Sequence, residues 1–472
     1  MPRCCSRRAR STWFRSRRSL LGAARRSGGC QSGLQGRGAW GARSLTDRGF
    51  AAAGAATIAV SLEGQLRLDD QPAFHAAVAL ARRQGGGQLI VLACRPEGQR
   101  LRGPHQRRLE AGALACLQAR LASAAIPLLH FPQHARAEAL ELIGPLVRPV
   151  AVLCCQESCL YDDWPLAAAS FPRVFAEFRR RLERSPQPAL PPPDLRGLGS
   201  AAQAWPPDWL QPPGAASTGK AAAASPPGAA PADPRSAFPF SGDEPSALAR
   251  LQHYVFGSDG LRHYKASRNG LVGTEFSSKF SPFLALGSLS VRRIWQELLR
   301  FEALHGAGQG GDQGALEGCE WMKQELLWRE FFIWSERCHG AAFHAPGGIQ
   351  GRPPRWQEDR ERFGRWCRGQ SGQPLIDAQL NELLATGYLS NRGRQWVASH
   401  FVNELQLPWT WGARFFEWML IDAQPALNSG NWAYLAGVGS DPRSFGGSPR
   451  RFDLERQRRL YDPEGLHRQR WL

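Results

Sequence analysis

One stretch, EWMKQELLWREFFIW at 320–334, combines aromatic and charged side chains at helical spacing. Positions i, i+4, i+7 and i+8, which coincide on one face of an α-helix, are Trp321, Glu325, Trp328 and Arg329. A carboxylate and a guanidinium on an apolar face are costly to bury unless each has a partner or a ligand. The simpler alternative is an intrahelical pair between Glu325 and Arg329 on a solvated face, which contributes about 0.2–0.5 kcal/mol.

Two further segments carry groups suited to an anion. In YLSNRGRQWVAS at 388–399, Ser390 or Asn391 can cap a helix whose first turns carry Arg392 and Arg394. Hydroxyls and amides at a helix start attract phosphates. TEFSSKFSPFLALG at 274–287 has this character, with Ser277, Ser278, Lys279 and Ser281 before or at a Ser-Pro helix start. The alternative for the first segment is ordinary surface arginine.

The segment IDAQPALNSGNWAY at 421–434 follows an apolar helix end. Asp422 stands at its start, and Pro425 with two glycines predicts a loop that brings Asn428 and backbone amides close to a flat ligand.

These groups need a scaffold, and residues 51–186 alternate strand and helix patterns. The alternation predicts an α/β domain with a doubly wound parallel sheet. No G-x-G-x-x-G follows the first strand, so a dinucleotide is not expected there. Strands are predicted at 55–62, 88–93, 126–130 and 149–155, and helices at 70–83 and 106–124.

Composition changes twice after this domain. Residues 187–246 are rich in Pro and Ala and predict a disordered or semi-extended linker. Residues 247–472 contain 12 of the 17 Trp and have helical periodicity. Helices are predicted at 290–304, 320–338, 376–385, 391–406 and 413–420.

The basic character of the chain is concentrated at its start. Of the formal charge of +18, residues 1–50 supply +11, with twelve Arg and one acidic residue. This Arg- and Ser-rich composition predicts an organellar transit leader, with a disordered basic tail as the alternative. No run of 18 apolar residues predicts a transmembrane helix, and no Cys or His spacing predicts a zinc site.

In order and spacing, six strings of the second half resemble the photolyase and cryptochrome family, and most of all its DASH-type branch. They are YKASRNGLVG, FSSKFSPFLALGSLS, ELLWREFF, GQPLIDAQLNELLATGYLSNRGRQWVAS, NSGNWAYLAGVGSDPR and YDPEG. The resemblance implies that residues 247–472 form an all-α FAD-binding domain behind an α/β amino-terminal domain, which matches the family less well.

The resemblance also implies residue roles. In FAD binding, the matching positions are Tyr264, Ser277, Ser278, Lys279, Phe280, Ser281, Arg329, Arg394, Asp422, Gln424 and Asn428. Electron relay to the flavin is implied for Trp432, Trp409 and Trp356. Contacts to a pyrimidine dimer or to its flanking phosphates are implied for Glu325, Trp328, Asn391, Arg392, Gln395 and Tyr434.

The activity implied is that of a deoxyribodipyrimidine photo-lyase: light-driven repair of cyclobutane pyrimidine dimers in DNA, single-stranded above all, by a monomer without metal. A chloroplast or mitochondrion is the expected location. Two departures leave alternatives open. Gln424 replaces an Asp of the family, and a deletion after Glu157 removes part of the wall for a folate antenna (methenyltetrahydrofolate). A photoreceptor without repair activity and a degenerate paralogue with weak flavin binding are therefore the alternatives.

Overall fold

The computed structural model describes residues 56–84, 86–95, 102–155, 159–161, 171–182, 185–199, 207–210, 229–306, 312–446 and 450–472. The predicted leader 1–50 and the predicted antenna contact Glu157 lie outside the described residues. Within this part of the chain no helix is long and apolar enough to cross a membrane.

A four-stranded parallel sheet organises the amino-terminal part. Its strand order is β3-β2-β1-β4, so the chain adds strands on one side of β1 and then returns to the other. The strands are aliphatic along nearly their whole length because both faces of a parallel sheet are covered. Their bounds are β1 Ala56–Ser61, β2 Gly87–Cys94, β3 Leu128–Phe131 and β4 Ala151–Cys154.

Three helices connect these strands: α1 Pro72–Arg83, α2 Pro104–Ala122 and α3 Arg136–Ile143. In α1 the buried side chains recur at helical spacing, and Pro72 occupies the first turn, where its missing N–H costs nothing. The sequence pattern did not predict α3, a short helix with only two buried residues, Ala139 and Ile143. The α/β class is confirmed.

The described parts of the Pro- and Ala-rich segment differ from the expectation of a disordered linker. Leu195 and Leu198 are buried in the core of the sheet domain, and Leu89 N–H donates to the Leu198 carbonyl over 2.9 Å. Trp209 packs on Phe131 of the edge strand, with ring centroids 5.4 Å apart. Leucines and a tryptophan spaced among the prolines give these residues enough apolar surface to pack. Helix α4, Phe175–Arg181, precedes this segment, and the short helix α5, Pro207–Leu210, lies within it.

The carboxyl-terminal part is helical, as predicted. Its α-helices are α6 Glu244–Gln252, α7 Tyr264–Ser267, α8 Ser281–Leu286, α9 Val291–Gly306, α10 Gln313–His339, α11 Arg360–Cys367, α12 Pro374–Thr386, α13 Asn391–Asn403, α14 Trp409–Met419, α15 Pro425–Ala436, α16 Leu454–Tyr461 and α17 Leu466–Trp471. A π-helical turn, His253–Gly257, follows α6, and 3₁₀ turns lie at Gly340–His344, Gly348–Gln350 and Pro442–Gly446.

Buried polar contacts join the two parts. Asp70, with no exposed surface, accepts hydrogen bonds from Arg292 Nε over 3.0 Å and from Leu190 N–H over 2.9 Å. At the start of α2, Gln106 Nε2 donates to the Ala423 carbonyl over 3.2 Å. The second contact fixes the sheet domain beside Asp422, one of the predicted site residues.

Candidate functional site

Helix α10 carries the charged face predicted from the sequence, but its charges pair differently. Glu325 accepts a hydrogen bond from Arg268, at the end of α7, over 2.5 Å. Arg329, 5% exposed, lies 3.5 Å from the carboxylate of Glu330. The intrahelical pair between Glu325 and Arg329 is therefore not formed, because each residue has a partner elsewhere.

Glu330, which the sequence pattern did not indicate, is a buried carboxylate next to Arg329. Its carboxylate is fully buried and accepts hydrogen bonds from Leu160 N–H over 2.9 Å and Trp334 Nε1 over 3.2 Å. The Leu160 contact links the segment 159–161 to α10 beside Arg329. No pattern could indicate it, because the two partners stand 170 residues apart.

The predicted substrate contacts Trp328 and Tyr434 come together beside Glu325. Their rings meet edge to face with centroids 6.1 Å apart. The other side of Trp328 stacks on Phe175 of α4 at 3.9 Å and 12°. Trp328 is thus held rigidly by the segment before the linker, while Glu325 keeps one-third of its side chain exposed.

The start of α13 forms as predicted. Ser390 caps the helix by accepting from Gly393 N–H over 3.0 Å, and Asn391 is exposed at the first turn. Arg394 Nη2 donates to Asp422 Oδ2 over 2.8 Å, and the Asp422 side chain is only 2% exposed. The second oxygen of Asp422, Oδ1, is buried and has no hydrogen-bond partner among the described residues.

The segment after Asp422 was wrongly predicted to be a loop. Residues 425–436 form α15, because Pro425 occupies the first turn of a helix and Gly430 fits closely against Phe332, where a Cβ would collide with the ring. Gln424 is the N-cap residue of this helix. Asn428 lies one turn further on and donates from Nδ2 to the Ala413 carbonyl over 2.7 Å.

The predicted anion seat precedes α8, with Phe280 as the N-cap residue and Ser281 as the first residue of the helix. Lys279 has a positive φ of 61° and is 2% exposed; its Nζ donates to Ser277 Oγ over 3.0 Å. Burial lowers the pKa of Lys279 to about 6, and the charge of Arg250 adds to this. Among the described residues Lys279 has no carboxylate within ion-pair distance.

Ser278 and Tyr264 are two further residues with a predicted role in FAD binding. Ser278 is half-buried between Ser277 and Lys279, and its carbonyl accepts from Arg250 Nε over 3.0 Å. Tyr264 is buried and meets Tyr254 edge to face at 6.5 Å.

The three predicted relay tryptophans lie in or against one apolar cluster. Trp432 and Trp409 are 2% and 1% exposed, whereas Trp356 is half-buried. Trp432 packs on α14 at Gly412, where a Cβ would collide with the indole. Trp409 stands one turn before Gly412 and donates from Nε1 to the Pro346 carbonyl over 2.9 Å. Two of the three tryptophans are therefore in the interior, and Trp356 is the one that reaches the surface.

A basic cavity of about 560 Å³ lies beside Arg392. Arg392 stacks over Tyr461 at 4.8 Å and donates from Nη1 to the Gln395 side chain over 3.1 Å, while Arg450 stacks over Phe452 at 4.8 Å. Burial lowers the pKa of both arginines, and the charge of Arg450 lowers that of Arg392 further. The sequence analysis had not predicted the aromatic members. The lining consists of Arg392, Arg443, Arg450, Arg451, Phe452, Arg456, Gln457, Leu460 and Tyr461.

Comparison with known proteins identifies the family. A family model described as the FAD binding domain of DNA photolyase matches residues 321–472. A cryptochrome DASH from Synechocystis sp. is 35% identical over 361 residues, which cover 73% of this chain and 67% of that protein. The chain belongs to the photolyase and cryptochrome family. A Natronomonas pharaonis cryptochrome DASH is 44% identical over 242 residues, covering 51% of this chain and 48% of that protein.

Solved structures of the family agree. The Synechocystis cryptochrome matches with a TM-score of 0.70 and 30% identity over 88% of each chain. A class III photolyase from Agrobacterium tumefaciens, at 24% identity, has a TM-score of 0.68 over 89% of this chain and 87% of its own, which shows the shared fold.

The predicted cofactor, FAD, fits the residues present. The match to the FAD binding domain of DNA photolyase includes Asp422, whose buried Oδ1 has no donor among the described residues. Lys279, which precedes the matched residues, is buried without an anionic partner in the part of the chain that the structure describes. A diphosphate would supply an anionic partner for Lys279, and a ring N–H or a hydroxyl would supply a donor to Asp422 Oδ1. For the folate antenna, Glu157 lies outside the described residues. In the part of the chain that the structure describes, no group of three or more His, Cys, Asp or Glu could hold a metal.

The environment of Lys279 predicts that FAD affinity falls as the pH rises above about 6. Lys279 is largely neutral above this pH without an anion, because burial lowers its pKa to about 6. A bound diphosphate favours the charged form, so binding takes up a proton. We expect Lys279→Met to weaken FAD about 10- to 150-fold, equivalent to about 1.5–3 kcal/mol, and to remove this pH dependence.

The measurement is a fluorescence titration of FAD into apoprotein between pH 6 and about 8.5. Lys265→Met is the matched control, because Lys265 is an exposed lysine that pairs with Glu317. Affinity that stays constant with pH in the unmodified protein contradicts the prediction.

Proposed function

We propose that the protein is a blue-light-driven FAD flavoprotein that repairs cyclobutane pyrimidine dimers in DNA, a deoxyribodipyrimidine photo-lyase. The observation that carries this proposal is a partly exposed carboxylate, Glu325, beside a pair of aromatic rings, Trp328 and Tyr434. The aligned regions cover 67%, 58% and 48% of the lengths of three curated cryptochrome DASH relatives.

The side chains around Glu325 match the chemistry of a flipped dimer. Two saturated, stacked pyrimidines present apolar faces to the rings of Trp328 and Tyr434 and a polar edge of carbonyl and N–H groups to Glu325. FAD, when bound and reduced, supplies the light-excited electron. Glu325 then hydrogen-bonds the edge on which negative charge develops, and a preorganised contact of this kind stabilises that charge.

Three tryptophans can supply electrons from the surface to the flavin in the interior. Indole is readily oxidised, so the row Trp432, Trp409 and Trp356 can pass an electron inward from the surface. The close packing of Trp432 on Gly412 and the hydrogen bond from Trp409 Nε1 to the Pro346 carbonyl support this role, because they hold two of the rings in place.

The basic cavity supports DNA as the partner, and single strands in particular. Arginines that repel one another at half-buried positions gain most from a polyanion. Phe452 and Tyr461 hold two guanidinium planes in place. A dimer in a single strand also costs less to flip into a cavity than one in a duplex.

Replacing Arg450 with Met tests the cavity. We expect the slope of log K against log salt concentration for a single-stranded oligonucleotide to fall in magnitude by about 1, with affinity reduced similarly for all sequences. Arg365→Met, which removes an exposed arginine paired with Glu361, is the control and should leave the slope unchanged. An unaltered slope in the Arg450 variant would exclude this surface as the phosphate contact.

The function is tested by a repair assay on the full chain. Photoreduced protein is illuminated with blue light in the presence of a single-stranded oligonucleotide that contains one thymine dimer, and intact thymines are counted by chromatography. Restoration of thymines in the light but not in the dark is expected. Flavin-loaded protein that leaves the dimer unrepaired would overturn the proposal and favour a photoreceptor.

The organelle and the oligomeric state of the protein are also part of the proposed function. Rice and tomato relatives at 36% and 38% identity are named as chloroplastic/mitochondrial, and the Arg-rich residues 1–50 have the composition of a transit leader. We therefore propose a chloroplast or mitochondrion as the location and a monomer as the working form. Residues 51–186, 187–246 and 247–472 are the proposed α/β domain, linker and FAD-binding domain.

A further inference from the structure

The ion pair between Arg268 and Glu325 lies beside Trp328, one of the residues proposed to contact the dimer. Arg268 is held in place by ring faces on two elements: its guanidinium lies 5.7 Å from the centroid of Tyr264 and 5.5 Å from that of Trp321. The Arg268 side chain is 16% exposed and that of Glu325 is 33% exposed. The cation is therefore held between two rings, while a third of the Glu325 side chain remains exposed.

The ionised form of Glu325 is unsuited to one part of the proposed repair reaction, the stabilisation of negative charge on the dimer. An ionised carboxylate only accepts hydrogen bonds, whereas a protonated one can also donate. Electron transfer to a pyrimidine dimer increases the negative charge on its carbonyl oxygens. A donor to those oxygens stabilises this charge, and a second negative charge beside them opposes it.

Two opposing influences set the protonation of Glu325. Burial raises the pKa of Glu325 above its usual value and outweighs Arg268, which lowers it through charge and hydrogen bonding. The other titratable groups around the pair are Tyr264 on α7, whose own pKa is raised by burial and further by the Glu325 charge, and Arg392 on α13, which faces Arg268. Of these, Arg268 is the group that keeps Glu325 ionised.

We propose that Arg268 is a positioning residue that holds Glu325 ionised in the free protein, and that binding of a dimer-containing strand converts Glu325 to the protonated acid. This inference rests on the proposed function. A phosphate near Arg268 offsets its charge, and the dimer removes water from the carboxylate; both changes favour the neutral acid. One proton passes from solvent to Glu325, forming an O–H bond that can donate to a dimer carbonyl.

Infrared spectroscopy of the flavin-loaded protein without DNA tests the first part. The carbonyl band of protonated carboxyl groups is followed against pH, and Glu325→Gln identifies the contribution of Glu325. Arg268→Met is expected to move the Glu325 midpoint about 1–3 pH units higher. Lys265→Met removes a cation from the same short helix without touching Glu325, so its midpoint should match that of the unmodified protein.

Arg268→Gln serves as a second variant if Arg268→Met does not fold. It keeps a donor to the carboxylate and removes the charge, so the same upward movement is expected. An unmoved midpoint in either folded variant overturns the role of Arg268. Because this titration needs no substrate, it remains decisive even if the protein repairs no dimers.

Calorimetric titration with a dimer-containing oligonucleotide, in the dark and in two buffers of different ionisation enthalpy, tests the second part. We expect uptake of about one proton near pH 7 for the unmodified protein, and none through this site in Glu325→Gln. Binding with no difference between these two proteins overturns the proton coupling. Absence of any dimer binding would instead contradict the proposed function.

Discussion

Replacing Glu325 with Ala is expected to slow dimer repair by about 100- to 1,000-fold, the usual loss when one preorganised contact to developing charge is removed. Arg268 holds one oxygen of Glu325 at 2.5 Å, while a third of the Glu325 side chain remains exposed and accessible to a substrate. The measurement is the yield of restored thymines per absorbed photon in flavin-loaded protein. Flavin content, measured by absorbance, separates this loss from a loss of cofactor.

Glu325→Gln is the informative companion of that variant. Its amide is neutral and donates a hydrogen bond, so it imitates the protonated acid. We expect it to retain far more repair than Glu325→Ala and to show a weaker dependence on pH. Equal losses in the two variants would mean that the negative charge of Glu325, and not a donated hydrogen bond, supports repair.

The sequence predicted those parts of the site whose residues are close neighbours in the chain. Ser390 and the following arginines formed the expected helix start, and Lys279 with its hydroxyl neighbours lies directly before the expected helix α8. Local hydrogen bonds and helix geometry determine these features, so a short string contains the necessary information.

The partners of the charged groups could not be predicted in the same way. Glu325 pairs with a residue 57 positions earlier, and Glu330 with a backbone amide 170 positions earlier. Side-chain spacing on α10 favoured Arg329 as the partner of Glu325, since the two are one turn apart. Tertiary contacts supplied closer and more buried partners for both, and such contacts leave no local pattern.

The error at 421–434 has a different cause. Pro and Gly usually interrupt helices, but Pro is tolerated in the first turn, and Gly is required where a neighbouring ring leaves no room for a Cβ. Pro425 and Gly430 meet these two conditions. Asn428 is consequently held on a helix, in the first turn after the N-cap residue Gln424.

Replacing Asp422 with Ala is expected to lower the free energy of unfolding by about 3–5 kcal/mol and to abolish stable flavin binding, because it removes one partner of a buried ion pair. Asp422 is 2% exposed and accepts from Arg394 Nη2 over 2.8 Å. Arg394 would keep its bond to the Leu389 carbonyl but lose the carboxylate, so a cation would remain at a largely buried position. Urea unfolding of apoprotein and of flavin-loaded protein measures both effects.

Glu361→Ala is the control for this prediction, because it removes an exposed pair with Arg365 that contributes about 0.3–0.5 kcal/mol.

Comparison of the flavin-loaded protein with the apoprotein also separates two roles of Asp422, stabilisation of the fold and binding of flavin. Its Oδ1 is buried without a partner among the described residues, so flavin should stabilise the unmodified protein by completing its hydrogen bonds. Asp422→Asn keeps the shape and loses the charge. If Asp422→Asn bound flavin as tightly as the unmodified protein, the charge of Asp422 would have no part in holding the cofactor, and its pairing with Arg394 would serve folding alone.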